Sequence, residues 1–115
     1  MADRVLFIGW NRPTTGREKQ AAQLFQKTLE FYGKLVNDGR IESFEPVILS
    51  VHGGDLNGFM LLRGNADKLA KLREDADFMD MTIEAELCLD GVGIVLGYIG
   101  DGLMDVFSRW MKYNM

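Results

Sequence analysis

Four short apolar runs, two long helix-patterned stretches and one glycine-rich turn limit what this chain can become more than any single motif does. The first run, Arg4-Val5-Leu6-Phe7-Ile8-Gly9-Trp10, is dense in β-branched and aromatic residues and shows no polar alternation. An amphipathic stretch follows it. Two more runs flank His52-Gly53-Gly54-Asp55-Leu56-Asn57-Gly58, whose Gly, Asp and Asn residues signal a hairpin. A second helical stretch, a fourth run from Val92 to Ile99 and a terminal helix complete the order β-α-β-β-α-β plus one helix. Strands with apolar residues at consecutive positions are apolar on both faces. One chain carries helices enough to cover only one of them.

The 115 residues fit a single domain spanning 1–115. A domain of this size buries roughly two-thirds of its unfolded surface, so it can build a core without disulfide or metal staples. A net charge of −4 argues against a nucleic-acid partner, which normally meets a basic stripe. The densest basic stretch, Arg12, Arg17 and Lys19, is interrupted by Glu18. Cys88 is the one cysteine, so no disulfide forms within the chain, which fits a reducing cytoplasmic setting. Its neighbours Leu87 and Leu89 point to a buried, unreactive thiol. No small-residue cleavage site follows the first run, and no run approaches the length of a membrane span, so neither export nor membrane insertion is expected.

Local signals set the expected boundaries. Pro13 ends the first strand, and Thr15 with Glu18 has capping-box spacing, placing a helix start near Thr15. Ala21, Phe25, Leu29, Tyr32 and Val36 share one stripe, reinforced by Leu24, Thr28 and Leu35. Gly33 interrupts the helix mildly and would let it approach the sheet closely; Asp38-Gly39 stops it. The second strand region covers 40–52 and contains Pro46, which implies an edge strand or a bulge. The third strand covers 58–63, and Asn65 caps a helix that turns Leu69 and Leu72 inward. Residues 76–90 fit helix and strand about equally; Asp75, Asp77 and Asp80 favour a short helix start. For 84–99 the expectation is one long strand with a bulge at Asp90-Gly91, with a hairpin about the same pair as the competing reading. The last helix starts near Asp101 and is expected to bury Leu103, Val106, Phe107, Trp110 and Met111.

Two β-α-β units joined by a hairpin give a ferredoxin-like α+β plait, an antiparallel sheet of order 4-1-3-2 with its main helices on one face. Pro46 then lies on an edge strand, where it is tolerated. In either register the uncovered face is apolar, and a bare four-strand apolar face far exceeds what monomers usually expose. A two-fold dimer with its sheets packed face to face is therefore expected, unless the terminal helix folds back across that face. This organisation resembles the dimeric α+β barrel superfamily over nearly the whole chain. The resemblance implies a dimer. It also opens a range of activities, among them cofactor-free monooxygenases, haem-degrading enzymes, lactone isomerases and YCII-like proteins.

The strand directions of such a plait bring Trp10, Asn11, His52 and Asp90 to one rim and Arg63 and Tyr98 to the other. His52, the single histidine, suits general acid-base work. A His52–Asp90 dyad of the YCII type is opposed by strand order: strands two and four are three spacings apart, roughly 14 Å. Trp10 and Asn11 are similar to the polar-aromatic groups of the monooxygenase and haem-degrading families, where an amide orients an oxygen and an indole donates one hydrogen bond. Arg63, at the end of an apolar strand, can grip a ligand carboxylate, and Tyr98 can offer a hydroxyl. Each of these has a plainer reading as a turn, core or strand-end residue. No Rossmann, Walker or nucleophile-elbow motif is present, and one His with one Cys makes no zinc site, so no cofactor or metal is expected. Three functions remain: a homodimer binding a small apolar or aromatic ligand; a cofactor-free monooxygenase or isomerase with His52 as base and Asn11 or Arg63 as anion stabiliser; or an assembly module using the sheet face alone.

Overall fold

The computed structural model describes residues 1–113, ordered as β1 (Arg4–Trp10), α1 (Glu18–Asn37), β2 (Ser43–Ile48), β3 (Gly58–Gly64), α2 (Ala66–Arg73), α3 (Ala76–Cys88), β4 (Gly93–Tyr98) and α4 (Gly100–Tyr113). All strand pairs are antiparallel and the order is β2-β3-β1-β4, the anticipated 4-1-3-2 order seen from the other edge. This is the ferredoxin-like plait. Pro46 stands on the edge strand β2.

Strand alternation divides the side chains between two faces. Leu6, Met60 and Leu62 point to the helices and join Tyr32 and Leu35 of α1, Leu69 and Leu72 of α2 and Phe78 of α3 in the main core. A smaller cluster joins Ala21 and Leu24 of α1 to Met81 and Cys88 of α3. Gly39 ends α1 in the left-handed region, at φ 74°, where its N–H reaches the Val36 carbonyl. The Asn65 side chain caps α2 by accepting from Lys68 N at 2.8 Å.

Asp75 holds the joint between α2 and α3. Its Oδ1 accepts from the backbone N–H groups of Asp77 (2.9 Å) and Phe78 (3.1 Å), and its Oδ2 accepts from Arg40 at 2.7 Å. The Arg40 hydrogen bond, then the Phe78 N–H, lowers its pKa below the usual carboxylate range. Asp75→Ala removes a helix cap, so urea unfolding at pH 7 should show a loss of about 1–2 kcal/mol. A depressed folded-state pKa contributes stability above the unfolded value near 3.9 and loses it as pH falls through the folded one. The gap between variant and parent should therefore shrink in acid.

Four local expectations change. The long bulged strand over 84–99 does not form, and neither does the competing hairpin: α3 continues to Cys88, and Asp90-Gly91 is a tight turn with Gly91 at φ 67°. Phe78, Met81 and Cys88 share a helical stripe whose burial against α1 outweighs the period-2 pattern; Leu89 keeps one bridge, to Pro13. The helix α1 begins at Glu18 rather than near Thr15 and has no side-chain cap: the chain turns at Gly16, φ 88°, and Arg17 occupies the N-cap position. Strand β2 stops at Ile48, leaving 49–52 in the loop. Gly33 serves no close approach, since a Cβ there would meet nothing within 4 Å.

The far face of the sheet carries Phe7, Phe59, Leu61 and Val95, with Phe7 and Phe59 stacked at 5.2 Å. Among the described residues no helix contributes to a core cluster with these four; Phe7, Phe59 and Leu61 are half-buried and Val95 is exposed. The expected burial of α4 is also absent within one chain: Leu103, Phe107, Trp110 and Met111 are 43–63% exposed. Helix α4 touches little but β4, and the radius of gyration, 15.6 Å, exceeds the ~13 Å of a compact chain this long. Met79, Ile83 and Leu87 add an exposed stripe along α3. Among the described residues no helix is long and apolar enough to cross a membrane.

Candidate functional site

The sheet and its helices do not close completely. Between them lies a cavity of about 710 Å³. Ile8, Met60 and Ile94 form its sheet wall. Thr28 and Tyr32 line it from α1, and Thr82 and Ala85 from α3. The cavity exists because short side chains sit where helix would otherwise meet sheet: Ala21, Ala22, Thr28 and Ala85 all line it. Leu49, Val51, Gly53 and Gly54 of the β2–β3 loop border it beside Asn11, Arg12 and Pro13. Arg12 and Glu18, its charged lining residues, are solvent-exposed.

Its polar groups form two sets. Near the loops, Asn57 Nδ2 donates to Asn11 Oδ1 at 2.5 Å and to the Gly54 carbonyl at 3.3 Å. Both amide hydrogens of Asn57 are thus engaged, and the Asn11 amide is turned so that its own NH2 remains for a ligand. Trp10 lies over Gly58, where any Cβ would collide with the indole, and meets Phe25 edge-on at 6.1 Å. Deeper, the Thr28 and Thr82 hydroxyls donate to the Phe25 and Phe78 carbonyls of their own helices, so each is left as an acceptor. Tyr32 is 4% exposed, and burial pushes its pKa upward, keeping the hydroxyl protonated.

The residues singled out from sequence separate into three places. Trp10 and Asn11 line the cavity. His52 lies in the neighbouring loop, exposed; its Nε2 bonds the Leu56 carbonyl at 2.8 Å and its Nδ1 accepts from Gly54 N at 3.1 Å. Asp90 bonds Thr14 rather than His52. Arg63 and Tyr98 stand at the opposite rim: Arg63 pairs with Glu45 at 3.0 Å, and Tyr98, 44% exposed, lies under the Arg4 guanidinium at 4.7 Å. Cys88 is fully buried, and desolvation, with Glu84 adding to it, raises its pKa, which leaves a thiol without nucleophilic character. Asn57, Thr28, Thr82 and Tyr32 went unnoticed as site residues. Tyr32 carried only the signal of a polar-tipped aromatic on the inner helical stripe; nothing local marks Asn57 as the partner of a residue 46 positions away. Among the described residues no group of three or more His, Cys, Asp or Glu is placed to hold a metal ion.

No protein-family model matches the chain, and no curated protein sequence matches it. Solved structures do. A dimeric protein of unknown function and ferredoxin-like fold from Bacteroides fragilis aligns at a TM-score of 0.62 and 11% identity, over 84% of this chain and 96% of that one. SnoaB, a cofactor-independent oxygenase from Streptomyces nogalater, aligns at a TM-score of 0.55 and 16% identity, over 86% of this chain and 95% of its own. The chain therefore has the ferredoxin-like fold and is structurally related to a dimeric protein of unknown function and to a cofactor-independent oxygenase.

Proposed function

We propose that the protein is a homodimer, joined through the bare sheet face and the apolar side of α4, and that each protomer's cavity holds an apolar ring substrate for oxygenation of the kind SnoaB is named for. The observation that carries this reading is the cavity: some 710 Å³ with an apolar wall, an oriented amide at Asn11 and its charges confined to exposed lining residues. Sites of that size and lining hold small molecules by apolar burial and orient them by a few polar groups.

The chemistry asks little of the protein. An enolisable ring ketone loses its C–H proton to water at the mouth of the cleft, the carbanion gives an electron to dioxygen, and the peroxide formed later takes a proton back from water. The ring radical and superoxide then combine as a C–O bond, and loss of water from the hydroperoxide leaves a new carbonyl. One dioxygen is consumed and one water released, so substrate and oxygen balance the electrons between them. The chain supplies an apolar cleft and, near the loops, donors at Asn11 and Trp10 that stabilise the negative charge developing on the oxygen that adds to the ring. His52 has both ring nitrogens tied to its own loop, so a role as base requires that loop to open.

Anthrone tests the proposal in two stages. In a Trp110→Phe background, Trp10 is the remaining tryptophan, and its emission should be quenched as anthrone binds. Oxygen uptake should then exceed the uncatalysed rate, matched mole for mole by anthraquinone. Quenching without uptake would leave a binding protein and remove the oxygenase; no quenching would remove both.

A further inference from the structure

Tyr32 stands where the packed core ends and the cavity begins. It belongs to the main core cluster with Leu6, Leu35 and Leu62, and it also lines the cavity. Only 4% of the residue is exposed. Its ring contacts are apolar, with Phe31 at 5.4 Å and Phe44 at 6.0 Å. Among the described residues its hydroxyl has no hydrogen-bond partner, yet it is not among the sealed polar atoms, a condition met by Asp3 Oδ1. The cavity that Tyr32 lines is the open space beside it. A hydroxyl that the protein leaves without a partner at a cavity wall is free to donate to whatever enters the cavity. Phenylalanine would fill the same space without it.

From this geometry we infer that Tyr32 is the hydrogen-bond donor at the cavity floor, and that the ligand enters with an uncharged oxygen acceptor, a ketone or phenol oxygen, leading. The inference rests on the cavity being the binding site and adds the ligand's orientation and charge. Thr28, four residues earlier on the same helix, donates to the Phe25 carbonyl and can offer the leading group only a lone pair. A ketone satisfies Tyr32 and asks for nothing more. A carboxylate would bring a full charge beside Ile8 and Met60 with one strong donor to meet it, and burial of a charge on such terms is unfavourable. A hydrocarbon would leave the tyrosine unpaired. The floor thus ranks ligands by their inner end: ketone or phenol above hydrocarbon above carboxylate. Donors near the loops, Asn11 and Trp10, meet whatever the ligand carries at its outer end.

Three probes of nearly equal shape test this: 2-acetylnaphthalene, 2-ethylnaphthalene and 2-naphthoate, titrated by calorimetry into the full chain and into Tyr32→Phe. The parent should bind the ketone most tightly and the carboxylate least. Tyr32→Phe should lose roughly five- to tenfold for the ketone, the worth of one hydrogen bond, and stay within twofold for the ethyl compound. Its melting temperature without ligand should stay close to the parent's, since phenylalanine fills the same space; this separates loss of a donor from loss of fold. An equal loss for the ketone and the ethyl compound would mean the residue only shapes the wall, and unchanged ketone affinity would mean the hydroxyl faces no ligand. Either result overturns the inference while leaving the cavity as the site. Failure of all three probes to bind the parent overturns the site together with the inference.

Discussion

Thr28→Trp should abolish ligand uptake while the protein stays folded. Thr28 lines the cavity from α1, as do the sheet residues Ile8 and Met60 and the α3 residue Ala85 from their own elements. An indole there occupies the volume that a ring ligand would fill. The expected loss is at least ~100-fold in affinity, about 2.7 kcal/mol, larger than any single hydrogen bond at the site can contribute. Cores normally resist added volume because nothing is empty. Here about 710 Å³ is empty, so overpacking strain should be small and the melting temperature should hold or rise. Ala85→Trp, which fills the same space from α3, gives an independent version. Anthrone titration and thermal unfolding of both variants check the point. If both variants bind as well as the parent, the cavity between sheet and helices is not the binding site.

The second large effect is expected on the opposite side of the sheet. Leu61 lies in β3 directly across from Phe7 of β1 and Glu45 of β2, on the far face of the sheet. In a dimer joined through that face, Leu61→Arg buries an unmatched cation at the centre of the interface, beside Arg63 of the same strand. A charge desolvated there without a partner typically costs several kcal/mol, and ~4 kcal/mol weakens association about a thousandfold. The isolated protomer should tolerate the change, because the arginine then meets water, while its neighbour Glu45 is already paired with Arg63 in either state. Far-ultraviolet circular dichroism should be unchanged while light scattering reports half the parent mass. Gln26→Arg, on the exposed side of α1, adds the same charge away from the sheet and should change nothing.

The parts of the fold legible in the sequence were those fixed by short-range chemistry. The stripe of Ala21, Leu24, Tyr32 and Leu35, the Asn65 cap, the Gly39 stop and the edge placement of Pro46 all follow from spacing and backbone preference. The boundary within 76–99 was not legible, because Met79, Met81, Ile83, Ala85 and Leu87 satisfy a period of two as well as a helix does. Burial of Met81 and Cys88 against Ala21 and Leu24 decided it, and that is a tertiary fact. Helix α4 shows the reverse. Its apolar stripe was legible, but among the described residues of one chain no surface buries it. At the site, Trp10 and Asn11 could be found from strand direction alone. Tyr32 could not, because a cavity is the absence of packing, and no local pattern distinguishes an inward tyrosine that fills a core from one that faces empty space.

Surplus apolar surface on one side of the sheet underlies the whole account, and the state of association of the unaltered protein tests it most directly. Sedimentation equilibrium over low to tens of micromolar should return twice the 13.0 kDa of one chain throughout. A mass of 13.0 kDa across that range, with Phe7, Phe59, Leu61 and Val95 open to water, would contradict it.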